Sequence, residues 1–271
     1  MATKSSKYWN TREIKARERL LDKHIYDSEK ALAKQYQRME KSIQQQAESL
    51  YHEILEKAGT DKATVSDLYT FNKYYDLLAD LKKKLNKLNM TSNLIIDSNL
   101  TSMYKQNYKL IGKQIGLVTK VDPKRVEKVT DNIWVGGVDW KTRLLKNNAN
   151  VVQKVEDGLV DCVATGASSE RLTKTLMNAF GAGFNDASRL VRTELNYVQN
   201  QSTKDKYEDA GIEEYNFLAE LDERTCDVCW KLDFKRFRLD EAVVGENYPP
   251  IHPNCRCTVL AVIKDSVPYE E

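Results

Sequence analysis

Cys226-Asp-Val-Cys229 and His252-Pro-Asn-Cys255-Arg-Cys257 are the residues of this 271-residue chain whose types and spacing can do chemistry. Both pairs, Cys226/Cys229 and His252/Cys255, place two residues between donors. That spacing lets a tight turn aim two donors at one ion, while its backbone N–H groups offset part of the thiolate charge. Two such pairs make a four-coordinate Cys₃His set, so structural Zn²⁺ is expected on Cys226, Cys229, His252 and Cys255. Cys257 is the alternate fourth ligand, because strand-like alternation puts it on the same side as Cys255. The competing reading is a group of ordinary buried thiols. Four of the five cysteines clustering with one of the three histidines speaks against it. A catalytic zinc needs an open coordination position and a nearby base. Here four protein donors close the set, and the spacing of Asp222, Glu223 and Asp227 marks none of them as a base. No P-loop, G-x-G-x-x-G, H-E-x-x-H or G-x-S-x-G occurs, so no catalytic or organic-cofactor residues are assigned. His24 and His52 on the first long helix, and Cys162 further on, read as seam, surface and core residues.

The elements that must position these donors are mostly helical. The first 110 residues hold no proline and only Gly59, so helix breakers are nearly absent. Leu21, Leu32, Ile43 and Ile54 recur every 11 residues, a period of ~3.67 per turn that keeps one apolar, coiled-coil-like stripe on a nearly straight helix. The pattern predicts a helix from about Glu13 to Lys57, stopped at Gly59, with Thr60-Asp61 capping the next. A second helix carries Tyr74, Leu78, Leu81, Leu85 and Leu88. A third begins at Thr91-Ser92 and carries Ile96, Leu100, Tyr104, Tyr108 and Ile111. Asp122-Pro123 opens a short helix. Asp139 begins another that stops at Gly166, and Ser168-Ser169 begins one that ends near Gly181-Ala182-Gly183. The last runs from about Asn185 to Asp209, with Gly211 as its stop. It carries Arg189 and Arg192-Thr193-Glu194, which read as a salt-bridged polar face. Tyr215–Ala219, Arg236–Leu239 and Thr258–Ile263 read as short strands.

The expected fold is therefore mainly α: long N-terminal helices, then a helical region, then a small zinc-stapled α+β C-terminal module. The expected divisions are a long-helix basic region at 1–120, a helical connector at 121–164 and a C-terminal domain at 165–271, with the metal module at about 212–264.

Charge is sorted along the chain. Residues 1–150 carry 28 basic and 18 acidic side chains, and residues 151–271 carry 14 and 22. A basic half followed by an acidic half suggests different partners for the two. The basic helices suit weak, sequence-independent contact with double-stranded DNA. Lys82-Lys83-Lys84 also reads as a solvated face. No run of about 18 apolar residues exists to span a bilayer. The opening Met1-Ala2-Thr3-Lys4 leads into charged helical sequence, so no signal peptide is expected. Few cysteines, clustered, fit a reducing compartment.

Arg192-Thr193-Glu194-Leu195-Asn196, Tyr207, Gly211-Ile212, Thr225-Cys226-Asp227-Val228-Cys229, Leu232-Asp233 and Pro250-Ile251-His252-Pro253-Asn254-Cys255-Arg256-Cys257 together resemble the C-terminal domain of tailed-bacteriophage minor head proteins, the head-morphogenesis, Mu protein F-like family. The resemblance covers about residues 165–264. Tyr8-Trp9 and the basic helix after it are also similar to minor head proteins of phages infecting Gram-positive bacteria. Members often carry glycine after the Leu-Asp pair, where this chain has Phe234. The resemblance implies a non-enzymatic, few-copy virion component that assembles in the host cytoplasm and lies inside the phage head. It implies the portal protein as partner, with scaffold or major capsid protein as further partners, and a role in DNA packaging or ejection. Enzymatic fusions occur in the family, and the length here leaves no room for one. Two other readings stay open: a zinc-dependent, nuclease-like nucleic-acid enzyme, and a DNA-binding coiled-coil regulator.

Overall fold

In a computed structural model, residues 4–58, 64–70 and 72–263 are described, the side chains of 4–11 and 58 excepted. The chain is mainly helical with one small sheet. The helices are α1 (Lys4–Ala58), α2 (Val65–Thr70), α3 (Asn72–Gln114), α4 (Pro123–Thr130), α5 (Trp140–Thr165) and α6 (Ser169–Asp209). The C-terminal module then follows as β1 (Glu214–Leu218), α7 (Asp227–Leu232), β2 (Arg236–Arg238) and β3 (Thr258–Ala261). The predicted long first helix and all three strands are present. Leu32, Ile43 and Ile54 of the 11-residue stripe are almost fully buried. The stop at Gly59 and the cap at Thr60-Asp61 lie outside the described residues, as do the side chains of Tyr8 and Trp9.

Two predicted helix boundaries are absent. Thr91-Ser92 does not start a helix, because α3 runs straight through it. The Thr91 hydroxyl donates to the carbonyl oxygens of Lys87 and Leu88, so it is satisfied inside the helix instead of capping a new one. Gly181-Ala182-Gly183 likewise lies within α6. Gly183 serves close packing: a Cβ there would come within 2.4 Å of Val151 Cγ2. Asp122 does cap α4, accepting from Lys124 N at 2.9 Å. Gly211, at φ 68°, ends α6 as its sequence position suggests.

The chain forms two compact units. The first comprises Met1–Ser28, Ile96–Asp139 and Arg189–Glu271, and the second Glu29–Ile95 and Trp140–Ser188. The second unit is helical, and a polar relay crosses its interior: Tyr36 OH donates to Asn148 Oδ1, and Asn148 Nδ2 donates to Asn89 Oδ1 at 2.5 Å. Cys162 is buried there, as expected of a core thiol.

The first unit contains the sheet, ordered β2-β1-β3 with both pairings antiparallel. One face of β1 packs Tyr215 into a cluster with Ile111, Tyr207, Leu239, Tyr248 and Val259. The buried Arg17 of α1 fastens the edge strand β3. Its guanidinium donates to Val259 O at 2.6 Å, to Thr258 Oγ1 at 2.5 Å and to Thr203 Oγ1 of α6 at 3.2 Å. An arginine taken out of water must find acceptors for its donors, so this one ties the N-terminal helix to a strand more than 240 residues away. His24 is a seam residue, buried, with Nδ1 3.3 Å from Asn99 Oδ1. His52 is exposed.

Candidate metal centre

The same face of β1, one pleat further along, builds the site. Phe217 is fully buried against Cys229, Cys255 and Cys257, with Leu232, Phe237 and Ile251 around them. Cys226 is the N-cap of α7, and its Sγ accepts from Cys229 N at 3.4 Å. This is the N–H support that the C-x-x-C spacing predicts. A matching turn brings Cys255 N to His252 O at 3.1 Å, with Asn254 in the left-handed region at φ 64°, a conformation asparagine tolerates. Cys257 follows and leads into β3.

The donors fall into two overlapping triads, Cys226/Cys229/His252 and Cys229/Cys255/Cys257, each with its ligand atoms within 4.8 Å of one another. His252 Nε2 lies 3.2 Å from Cys226 Sγ and 3.4 Å from Cys229 Sγ, and Cys229 Sγ lies 3.9 Å from Cys255 Sγ. A tetrahedral ion with Zn–S near 2.3 Å and Zn–N near 2.0–2.1 Å requires S···S edges of about 3.8 Å and S···N edges of about 3.6 Å. These three edges are near those lengths, so the cluster could hold a metal ion, although its donors gather as two triads and not as one set of four. Cys229 belongs to both triads, and Cys257 is as much a part of the cluster as Cys255.

Electrostatics divide the cluster, favouring charge on Cys226 and Cys255 and opposing it on Cys229 and Cys257. Hydrogen bonds from Cys229 and then Cys257 pull the Cys255 thiol far down, and the same contacts push Cys229 up. Burial is the largest single effect on Cys226 and opposes its charge, but the Cys229 N–H and thiol, His252 and the Val228 N–H together lower that thiol. Burial likewise opposes charge on His252, but the Pro253 carbonyl and the neighbouring sulfurs raise it. His252 Nδ1 sits 2.9 Å from Pro253 O. This contact fixes the proton on Nδ1 and leaves Nε2 facing the sulfurs, the usual arrangement for a ligating imidazole. Both ring nitrogens are thus committed. Asp222 is committed as well, receiving Arg256 at 2.5 and 2.7 Å and Arg224 at 3.3 Å. Led by the Arg256 contact, these hold its carboxyl far below the usual aspartate range.

Sequence reasoning missed the brace behind the site. Thr193, Asn196 and Asn200 follow helical 3–4 spacing on α6 and are almost fully buried. Thr193 Oγ1 accepts from Asn254 N at 2.8 Å, and Asn196 and Asn200 each donate to Cys257 O at 3.2 Å. The Arg192-Thr193-Glu194 segment is therefore not simply a polar face. Thr193 seats the His-Pro-Asn-Cys turn, while the buried Glu194 accepts from Trp134 Nε1 at 3.1 Å. The signal was the spacing itself, a polar stripe on a helix directly preceding the ligand-bearing module.

Among known proteins, the chain is 27% identical over 146 residues to the NAD(+)–arginine ADP-ribosyltransferase EFV of Enterococcus faecalis, covering 49% of this chain. The match spans only 30% of that protein's length. No solved structure matches the chain. No helix among the described residues is long and apolar enough to cross a membrane. Residues 153–260, which include α6, the brace, most of the sheet and every cysteine of the cluster, match the family model described as Phage Mu protein F like protein. This segment, less than half of the chain, is similar to that family.

Proposed function

We propose that the protein is a non-enzymatic minor capsid protein of a phage head, associated with the portal protein and with packaged DNA during head assembly, packaging or ejection. The observation that carries this reading is the family match over 153–260. On this reading the protein resides in the virion after assembly in the host cytoplasm, and scaffold or major capsid protein are further contacts. The region 1–120 is the DNA-facing part, 121–164 a connector and 165–271 the minor-head domain. The excess of ten positive charges over residues 1–150 supports non-specific contact with phosphates.

In the module, Cys226, Cys229, His252 and Cys255 would hold a structural zinc ion, with Cys257 as alternate ligand. Bound there, the ion would cross-link α7 to the segment entering β3, a fold contribution that small modules need. What supports a structural role over a nuclease-like one is that His252 has no nitrogen left for proton transfer and Asp222 is held by two arginines. The transferase activity in the relative's name belongs to that protein, of which this chain matches 30%.

Co-expression of the full chain with the portal protein of the same phage, followed by size-exclusion chromatography, tests the reading. Co-elution with the portal oligomer is expected. Separate elution at all salt concentrations would contradict it, as would metal-dependent cleavage of supercoiled plasmid abolished by His252→Ala.

A further inference from the structure

Two rows of cations lie on the outer side of the α1–α3 pair in the first unit. The two helices are tied at both ends of a short stretch: His24 Nδ1 lies 3.3 Å from Asn99 Oδ1, and Gln114 Nε2 donates to Glu13 O at 3.3 Å. They therefore run antiparallel there, with residues 13–24 alongside 99–114. Within this stretch α1 carries Lys15, Arg19 and Lys23, and α3 carries Lys105, Lys109 and Lys113. Both sets repeat every four residues, so each forms one row about 12 Å long.

Two buried residues show which way the rows face. Arg17 donates to Thr203 of α6, and Asn107 Nδ2 donates to Gln199 O, Ser202 Oγ and Thr203 Oγ1 of the same helix at 2.8–2.9 Å. Lys15 and Arg19 are each two residues from Arg17, and Lys105 and Lys109 are each two from Asn107. Two residues are about 200° of helical turn, so these four cations point away from α6. All six are exposed, and none has an ion pair among the described residues. Residues 99–114 contain no carboxylate. Of the three in 13–24, Glu13 is half-buried, while Glu18 and Asp22 line the cleft against the C-terminal module that Arg192, Arg224 and Arg256 also line. Asp27 and Asp97 lie past the His24–Asn99 tie and end the patch. Elsewhere on the same helices cations are committed, Lys73 to Glu53 and Lys84 to Asp80.

We propose that these two rows seat the phosphate backbone of duplex DNA. The inference rests on the DNA-facing role proposed above, and it narrows that role from the whole of 1–120 to one face of the first unit. A regular array of unpaired cations is complementary to a polyanion. Lysine is a point charge without a planar fork, so it holds phosphates without reading bases. A membrane surface calls for Trp, Phe or Leu beside the lysines, and a protein partner calls for a large apolar or aromatic anchor. No large apolar side chain of either stretch is exposed.

Anisotropy of two fluorescent duplexes of unrelated sequence, titrated with the full chain at increasing salt, tests this. Equal affinity for both and a steep fall with salt are expected. Lys15→Gln/Arg19→Gln/Lys23→Gln and Lys105→Gln/Lys109→Gln/Lys113→Gln should each weaken binding at least about tenfold. Each should also reduce the slope of log K against log salt by about one per cation removed. The charge-matched control Lys82→Gln/Lys83→Gln/Lys87→Gln, at exposed positions outside both stretches, should change binding far less. Row variants that bind like wild type, or a control that loses as much, overturn the inference while leaving DNA binding in place. A wild-type chain that binds neither duplex overturns the inference together with the DNA contact it rests on. Row variants that keep the duplex but lose vesicles of equal parts phosphatidylglycerol and phosphatidylcholine overturn it in favour of a membrane surface. Circular dichroism checks folding, and should one row variant unfold, the other decides.

Discussion

Asn200 joins α6 to the module through its side-chain amide and its backbone carbonyl. Its Nδ2 donates to Cys257 O at 3.2 Å, its Oδ1 accepts from Thr258 Oγ1 at 3.1 Å, and its carbonyl accepts from Tyr248 OH at 2.7 Å. Removing a buried partner strands the groups it served, at a cost of about 1–3 kcal/mol. Asn200→Ala should therefore lower the urea unfolding midpoint by that equivalent, whereas replacing the exposed Glu223 should leave it unchanged. At the residue scale the sequence displays some of these groupings and hides others. Cys226, Cys229, His252, Cys255 and Cys257 announced themselves, because soft donors at C-x-x-C and H-x-x-C spacing have few other uses. Thr193, Asn196 and Asn200 did not, because polar side chains on a helix ordinarily face water, and only the buried turn opposite them reveals their partners.

At the scale of elements, glycine misled. Gly181-Ala182-Gly183 reads as a helix end, yet α6 continues through it, since neighbouring α5 needs the missing Cβ at Gly183. Two substitutions separate packing from propensity. Gly181 has nothing within 4 Å of an added Cβ, so Gly181→Ala should stabilise by about 0.5–1 kcal/mol. At Gly183 the Cβ would press on Val151 Cγ2 at 2.4 Å and Tyr36 Cε1 at 3.3 Å. Gly183→Ala should therefore destabilise, its overpacking cost of about 1–3 kcal/mol exceeding the propensity gain. Opposite shifts in melting temperature are the expected result. Helix junctions in the first unit predict a pH effect. Tyr108 of α3 donates to Asp209 of α6, and Arg125 of α4 pairs with Asp209 at 2.9 Å. Burial alone would raise this carboxyl, but the Tyr108 and Arg125 contacts prevail and lower it below the ordinary value of 3.8. A depressed carboxyl pKa stabilises above the unfolded value and loses that contribution as the pH falls through the folded one. Asp209→Asn should thus lower the melting temperature at pH 7, and the difference from wild type should shrink below about pH 4.

At the scale of the whole molecule, charge and chain order tell different stories. The basic first half and the acidic second half suggested separate partners, and linear divisions at about 120 and 164 followed the changes in pattern. The compact units cut across chain order, with Met1–Ser28 and Arg189–Glu271 in the same one. Arg17 shows why the sequence does not display this. Inside a helix rich in lysine and arginine it looks like one more solvated cation, and only β3 supplies the acceptors that bury it. The helical class, the small terminal sheet and the family segment were all legible, because they rest on periodicity, turn chemistry and a dense motif. Long-range pairings such as Arg17 with Val259 leave no local trace.

A metal staple at the cysteine–histidine cluster is what would hold the C-terminal module together. Elemental analysis of the freshly purified, reduced full chain measures this directly. About one zinc ion per chain is expected, with Cys229→Ser, which removes the sulfur common to both triads, losing the ion and destabilising the module by several kcal/mol. A chain that carries no ion, takes up none on titration with zinc and unfolds at the same midpoint with or without a chelator would contradict it.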